Sequence, residues 1–306
     1  MAGSLTLGRP TLGGRGILEL VDSIRAVTHL VRGRAASDGA GVRLTRIIDG
    51  SPTPPGGPDF DPFLLLDEFG SDRPGDYIAG FPDHPHRGFE TVTCMLAGRM
   101  RHRDNAGNSG LLVPGGVQWM TAGRGLVHSE MPEQQDGLLR GFQLWINLPA
   151  RDKMTAPRYQ DIEPQRIPAV DIAAGMRARV IAGRIGGAVG PVQTGATAAA
   201  WLDIHCAADA TFDAEVALPG QTMFVYVYEG AAEVGPATAA TPVARGVLAL
   251  LGDGARLRLR AGSAGCTAIC VAGSPLREPV ARYGPFVMNT PQQIEQAIAD
   301  YRAGRL

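Results

Sequence analysis

HPHRGFE at residues 84–90 and GRGLVHSE at residues 123–130 carry the pattern that decides how this chain is read. Each holds two potential metal ligands two residues apart, His84 and His86 in the first, His128 and Glu130 in the second. On a β-strand successive side chains alternate faces, so positions i and i+2 point the same way. His84 and His86 therefore project together from one strand, and His128 and Glu130 from another. If those strands face each other across a small barrel, four ligand atoms converge on one point. The competing reading is a scatter of polar residues on solvated strands. It is weakened by number, because the chain has only six histidines and three of them fall here.

Three imidazoles and one carboxylate suit a borderline divalent transition metal. Calcium takes oxygen ligands throughout, and structural zinc usually takes thiolates. Four protein ligands on an octahedral ion leave two positions for water, substrate or dioxygen, as catalysis at a metal requires. Fe(II) is favoured over Mn, Ni, Cu, Co or Zn only by a small margin, because ligand type and affinity order do not separate them.

Outside these stretches the composition is that of a turn-rich, mostly β protein: 41 glycines and 23 prolines in 306 residues. The 29 basic residues against 30 acidic ones argue against a general nucleic-acid binder, whose affinity would come from a basic surface. Cys94, Cys206, Cys266 and Cys270 form no C-x-x-C pair and are expected to be buried, reduced thiols. No run of roughly eighteen apolar residues suggests a membrane span. The first sixteen residues lack the apolar stretch of a secretory signal, so the expected compartment is cytoplasmic.

Along the chain, residues 1–16 read as a flexible tail, and residues 17–32 leave strand and helix both open. Val42–Ile47 alternates as a strand, and Phe63–Phe69 is a short buried strand in which Asp67 and Glu68 read as edge charges in preference to acids that support the metal ligands. Residues 90–103 suggest a hairpin about Ala97-Gly98, with His102 on the surface. Phe89, Trp119 and Met120 are candidates to line a substrate pocket. Residues 151–168 form a proline-containing extended linker. This divides the chain into a metal-binding domain at 17–160 and a second domain at 161–306.

The second half repeats the first. Gly88 and Gly98 stand ten residues apart, as do Gly220 and Gly230, with strand-like residues between. Superposing these anchors puts Val216 and Leu218 where His84 and His86 stand, so the second half is expected to keep the barrel without the ion. His205 is read as structural. Near the C-terminus, Thr290, Pro291 and Gln293 form a helix-start signature, and Ile294, Ala297, Ile298 and Tyr301 fall on one helical face.

HPHRGFETVT (84–93), PGGVQWMTAGRGLVHSEMP (114–132), GFQLWINLPARDKM (141–154) and EPVARYGPFVMNT (278–290) resemble signature blocks of the pirin family, a branch of the bicupins. The resemblance runs from about Arg34 to Tyr301. It implies an all-β fold of two cupin barrels (double-stranded β-helix, jelly-roll-like) with a C-terminal helix. It implies one metal held by His84, His86, His128 and Glu130. Glu90, a ligand in many other cupins, is then not a ligand and is expected to hydrogen-bond and orient an imidazole. The site resembles that of pirin-like quercetin 2,3-dioxygenases, which open flavonols with dioxygen, Glu130 serving as the catalytic base. Pirins also act as iron-dependent regulators that bind a protein partner, and the same ligands serve either role.

Overall fold

The structure is a computed structural model that describes residues 23–51 and 55–306. The tail expected at 1–16 lies outside the described residues. The first half supplies β1 (Val27–Arg32), β2 (Arg34–Asp38), β3 (Val42–Ile48), β4 (Phe63–Ser71), β5 (Phe81–His86) and β6 (Phe89–Ala97). It continues through β7 (Met100–Asp104), β8 (Ser109–Leu112), β9 (Val117–Thr121), β10 (Leu126–Pro132), β11 (Leu139–Asn147) and β12 (Arg158–Ile162). The second half holds β13 (Ala169–Ala173), β14 (Met176–Ala182), the short β15 (Arg184–Ile185) and β16 (Ala188–Val189), then β17 (Ala200–Cys206) and β18 (Thr211–Glu215). There follow β19 (Thr222–Val234), β20 (Thr241–Ala244), β21 (Val247–Leu251) and β22 (Arg256–Gly273). A small hairpin, β23 (Ala281–Tyr283) and β24 (Phe286–Met288), precedes helix α1 (Pro291–Arg302).

The internal repeat is visible in the pairing. One sheet runs β12-β9-β6-β11-β4-β3-β2, and its counterpart runs β1-β21-β19-β22-β17-β14-β13. Each is faced by a four-strand layer: β5-β10-β7-β8 in the first barrel, and in the second β18 and β20 flanking the far ends of β22 and β19. The match holds strand for strand, and it exposes an exchange at the edge. Strand β1, placed by the sequence in the first domain, pairs with β21 and completes the second sheet. The division at 160/161 fails for that segment. The linker in turn contains β12, which occupies the matching edge of the first sheet.

The hairpin expected about Ala97-Gly98 is a corner instead. β6 pairs with β9 and β11, whereas β7 pairs with β8 and β10, so the chain crosses from one sheet to the other. Gly98 makes the corner possible: its φ is 77°, and a Cβ there would stand 2.4 Å from Gln134 Oε1 and 2.9 Å from the Leu138 carbonyl.

The two large sheets pack face to face. Val92, Trp119, Phe142, Leu144 and Ile146 meet Trp201, Phe224, Tyr226, Leu248 and Ile269 in one continuous buried cluster. Burying side chains of this size stabilises by about 1.5–3 kcal/mol each, so this layer joins the barrels into one body. The barrel interiors differ. The second is filled with apolar side chains, including Phe212, Val225, Leu257 and Leu259. Val216 turns into this core, but Leu218 is 67% exposed. Phe212, Ala214 and Val216 thus make up the inward face of the ligand-equivalent segment, correcting the expected Val216 and Leu218 pair. The four cysteines are buried and free.

Helix α1 begins as its sequence signals: Thr290 accepts from the Gln293 backbone N–H and the Gln293 side chain closes the capping box. Ile294 and Ala297 pack with Phe286 and Met288. The helix also reaches the first barrel, because Asp300 accepts from Arg87 Nη1 at 2.8 Å. The chain ends therefore cross over, β1 entering the second barrel while the C-terminal hairpin and helix lie against the strand that carries His86.

Candidate metal centre

Antiparallel pairing of β5 with β10 sets His84 directly opposite His128. His84, His86 and His128 each present a ligand nitrogen within 4.8 Å of the others. The ring centroids of His84 and His128 are 4.4 Å apart, and those of His86 and His128 are 4.9 Å apart. His84 Nδ1 lies 2.8 Å from the Pro82 carbonyl, so it carries the donated proton and leaves its Nε2 lone pair facing the other imidazoles. His86 Nε2 is 3.0 Å from that atom.

The donor set fits a metal. Two nitrogens at right angles about one ion, each at about 2.1 Å, stand about 3.0 Å apart, the separation seen between His84 and His86. His128 is buried with neither ring nitrogen hydrogen-bonded, which would be costly in a site meant to stay without a partner. Burial holds the His86 and His128 pKa values well below the ordinary imidazole range, and neighbouring histidines reinforce the shift. Both rings are thus neutral at neutral pH, the form that binds metal.

Glu130 lies beside this group but outside it. Its Oε1 faces the Thr93 hydroxyl at 3.0 Å. Burial pushes its pKa up, against the pull of His84, the Thr93 hydrogen bond and His102. Thr93 Oγ1 also lies 2.7 Å from Gln143 Oε1. One hydroxyl proton serves one acceptor, so when Glu130 is ionised the Gln143 amide presents its NH₂ to Thr93.

Thr93 and Gln143 belong to a polar row that sequence reasoning missed. Across the first sheet, Arg46, Asp67, Gln143, Thr93, Gln118 and Asp161 stand side by side in register. Asp67 is not an edge charge. It is 3% exposed, and Arg46 grips it with Nε at 2.9 Å and Nη2 at 2.7 Å. Glu68 points to the other face, where it accepts from Arg140 and Tyr226.

Three further expectations are corrected. His102 is not on the surface; it is buried opposite Glu130, stacks on Tyr159, and its Nε2 meets Asp161 Oδ2 at 3.1 Å. Glu90 does not orient an imidazole. The pleat turns it to the face of β6 opposite Thr93, where Thr121 donates to it at 2.7 Å. Burial raises its pKa, opposed by the hydrogen bond from Thr121. Phe89, Trp119 and Met120 do not line the cavity. Phe89 is packed behind His86 and Trp145. Trp119 lies in the core between barrels and Met120 in a cluster with Ala122 and Leu126. In the second half, His205 bonds to Asp203 at 3.3 Å, and no metal-competent group forms there among the described residues.

His84, His86 and Glu130 open onto a cavity of about 610 Å³ walled by Leu44, Leu65, Phe69, Phe81 and Trp145. That size and apolar lining suit a small organic molecule. A metal-ligand cluster at the mouth of one barrel, beside a second barrel filled with apolar side chains, is the arrangement expected of a one-metal bicupin. Family models match both halves: residues 42–146 fit Pirin, and residues 201–306 fit the Pirin C-terminal cupin domain. The chain belongs to the pirin family. Both barrels of this pirin-family chain are thus cupin domains. A Pseudomonas aeruginosa protein named "Putative quercetin 2,3-dioxygenase" is 50% identical over 287 residues, covering 92% of this chain and 98% of the relative. Homo sapiens pirin is 40% identical, with 92% and 93% covered. The crystal structure of quercetin 2,3-dioxygenase from Acinetobacter baumannii superposes with a TM-score of 0.82 at 32% identity, covering 92% of this chain and 98% of that one. Among the described residues, no helix is long and apolar enough to cross a membrane.

Proposed function

We propose that the chain is a metal-dependent dioxygenase that opens flavonol-like substrates, with His84, His86, His128 and Glu130 as the ligands of one divalent transition ion. The observation that carries this reading is the histidine cluster opening onto an apolar cavity of small-molecule size. Kinship with proteins named quercetin 2,3-dioxygenase supports the substrate class. A bound ion, Fe(II) by preference, would supply exchangeable positions for dioxygen and for a flavonol's 3-hydroxyl and adjacent carbonyl.

The chain's own residues do the rest. His84, with its Nδ1 proton on the Pro82 carbonyl, keeps Nε2 aimed at the centre. Glu130 takes the 3-hydroxyl proton onto a carboxylate oxygen. Thr93 holds that carboxylate in place. Leu65, Phe69 and Trp145 flank the substrate and exclude bulk water.

Quercetin is mixed with metal-loaded protein without dioxygen, then exposed to air while its absorbance is followed and carbon monoxide is assayed. Oxygen-dependent loss of quercetin with release of carbon monoxide is expected. Full metal loading with no oxygen-dependent loss would shift the function to the alternative, an iron-dependent regulator that binds a protein partner.

A further inference from the structure

The cavity has a polar end that the metal reading does not use. Arg282, in β23 of the C-terminal hairpin, lines it together with Trp145. Its Nη1 is spent on the carbonyls of Asp49 and Leu64, at 3.2 Å each. Gly50 makes room for it: a Cβ there would stand 2.0 Å from Nη1. The guanidinium lies over the Trp145 ring at 5.0 Å, and Trp145 meets the His86 ring edge-on at 5.3 Å. Among the described residues no carboxylate lies within ion-pair distance of Arg282. Of the nearby acids, Asp67 and Asp38 are committed to Arg46 and Asp49 to Arg34, while Asp83 lines the cavity beside them. The Trp145 indole N–H is buried without an acceptor. That nitrogen offers the cavity no surface, so the wall presents a cation with N–H groups to spare, two ring contacts from a metal ligand.

Such a cation lacks an anionic partner, and an anionic oxygen supplies it best. Arginine stays charged at any working pH, and hydrogen bonds to an ionised acceptor are stronger than neutral ones. We propose that Arg282, held over the Trp145 ring, forms an oxyanion-recognition point, so that the preferred substrate is a planar aromatic bearing a carboxylate or ionised phenol away from its metal-binding end. The flavonol part of this statement rests on the dioxygenase reading; the recognition point does not. Arg282 is thereby a specificity-determining residue.

Two probe pairs test it on the full chain. Binding of 2-naphthoate and 2-naphthamide to the metal-free protein is measured by calorimetry for wild type, Arg282→Gln and Arg282→Lys, each checked by thermal melting. Wild type should prefer the carboxylate on the order of tenfold. Arg282→Lys should keep most of that preference. Arg282→Gln should abolish it while leaving the amide's affinity unchanged. Binding of 2-naphthol across its ionisation tells a phenolate site from one that accepts carboxylates only. With metal-loaded protein, 3-hydroxyflavone-4′-carboxylate should show a lower KM than its methyl ester in wild type and Arg282→Lys, but not in Arg282→Gln. No preference for naphthoate in wild type, or the same preference in Arg282→Gln, overturns the proposal. Charge preference without turnover of either flavonol would leave the recognition point standing and refute the dioxygenase reading instead.

Discussion

Replacing Thr93 by Val should leave the fold intact and loosen the metal. The two side chains are nearly the same size, so no cavity forms in the first barrel. What is lost is the hydroxyl between Glu130 Oε1, at 3.0 Å, and Gln143 Oε1, at 2.7 Å. In the metal-free chain burial raises the Glu130 pKa, and loss of a hydrogen bond of ordinary strength costs about 1 kcal/mol of stability. In the loaded protein Glu130 must be ionised, and the missing bond is one to a buried carboxylate, worth about 1.5–3 kcal/mol. The difference, about 0.5–2 kcal/mol, should lower metal affinity roughly 2- to 30-fold. Competition against a coloured chelator measures affinity, and thermal melts with and without metal separate it from stability. Thr91→Val is the control, because Thr91 lies on the same face of β6 but pairs with Met120 rather than reaching Glu130. An affinity for Thr93→Val within twofold of wild type would refute the account of how the carboxylate is held.

His128→Ala should remove most bound metal, and metal analysis should find one ion per wild-type chain; full retention in the variant would contradict the ligand assignment. In the metal-free protein, Glu130 keeps its proton to higher pH when folded than its ordinary value of 4.5. Stability should thus decline as pH rises from about 4.5 through the folded pKa, and a Glu130→Gln variant that shows the same decline in chemical denaturation would sink that expectation. His205 behaves in the opposite sense of charge: Asp203 raises its pKa, so its small contribution is complete below its unfolded value and fades as pH rises through the folded one. His205→Asn should flatten that slope by a few tenths of a kcal/mol, discounted because the ring is half exposed. Phe142→Ala should cost about 3–5 kcal/mol, because Phe142 meets Trp201, Tyr226 and Tyr228 across the barrels; two separate unfolding transitions in wild-type calorimetry would refute a shared core.

The sequence by itself determined that His84 with His86, and His128 with Glu130, are borne in pairs on two strands, and it determined the apolar second barrel and the capped helix. These follow from local periodicity: on a strand, i and i+2 share a face whatever the strand pairs with, and a capping box closes within four residues. The tertiary structure alone decided the rest. Which strand lies beside which is settled by burying two faces of a sheet at once, a non-local condition. It carried β1 into the second sheet, made a corner at Gly98 and buried His102 opposite Glu130. The row from Arg46 to Asp161 draws on six strands spread over more than a hundred residues of chain, and no window of sequence contains it. Arg282 reaches the cavity for the same reason: it is more than 130 residues from Trp145 in the chain, and only the docking of the C-terminal hairpin onto the first barrel sets the two side by side.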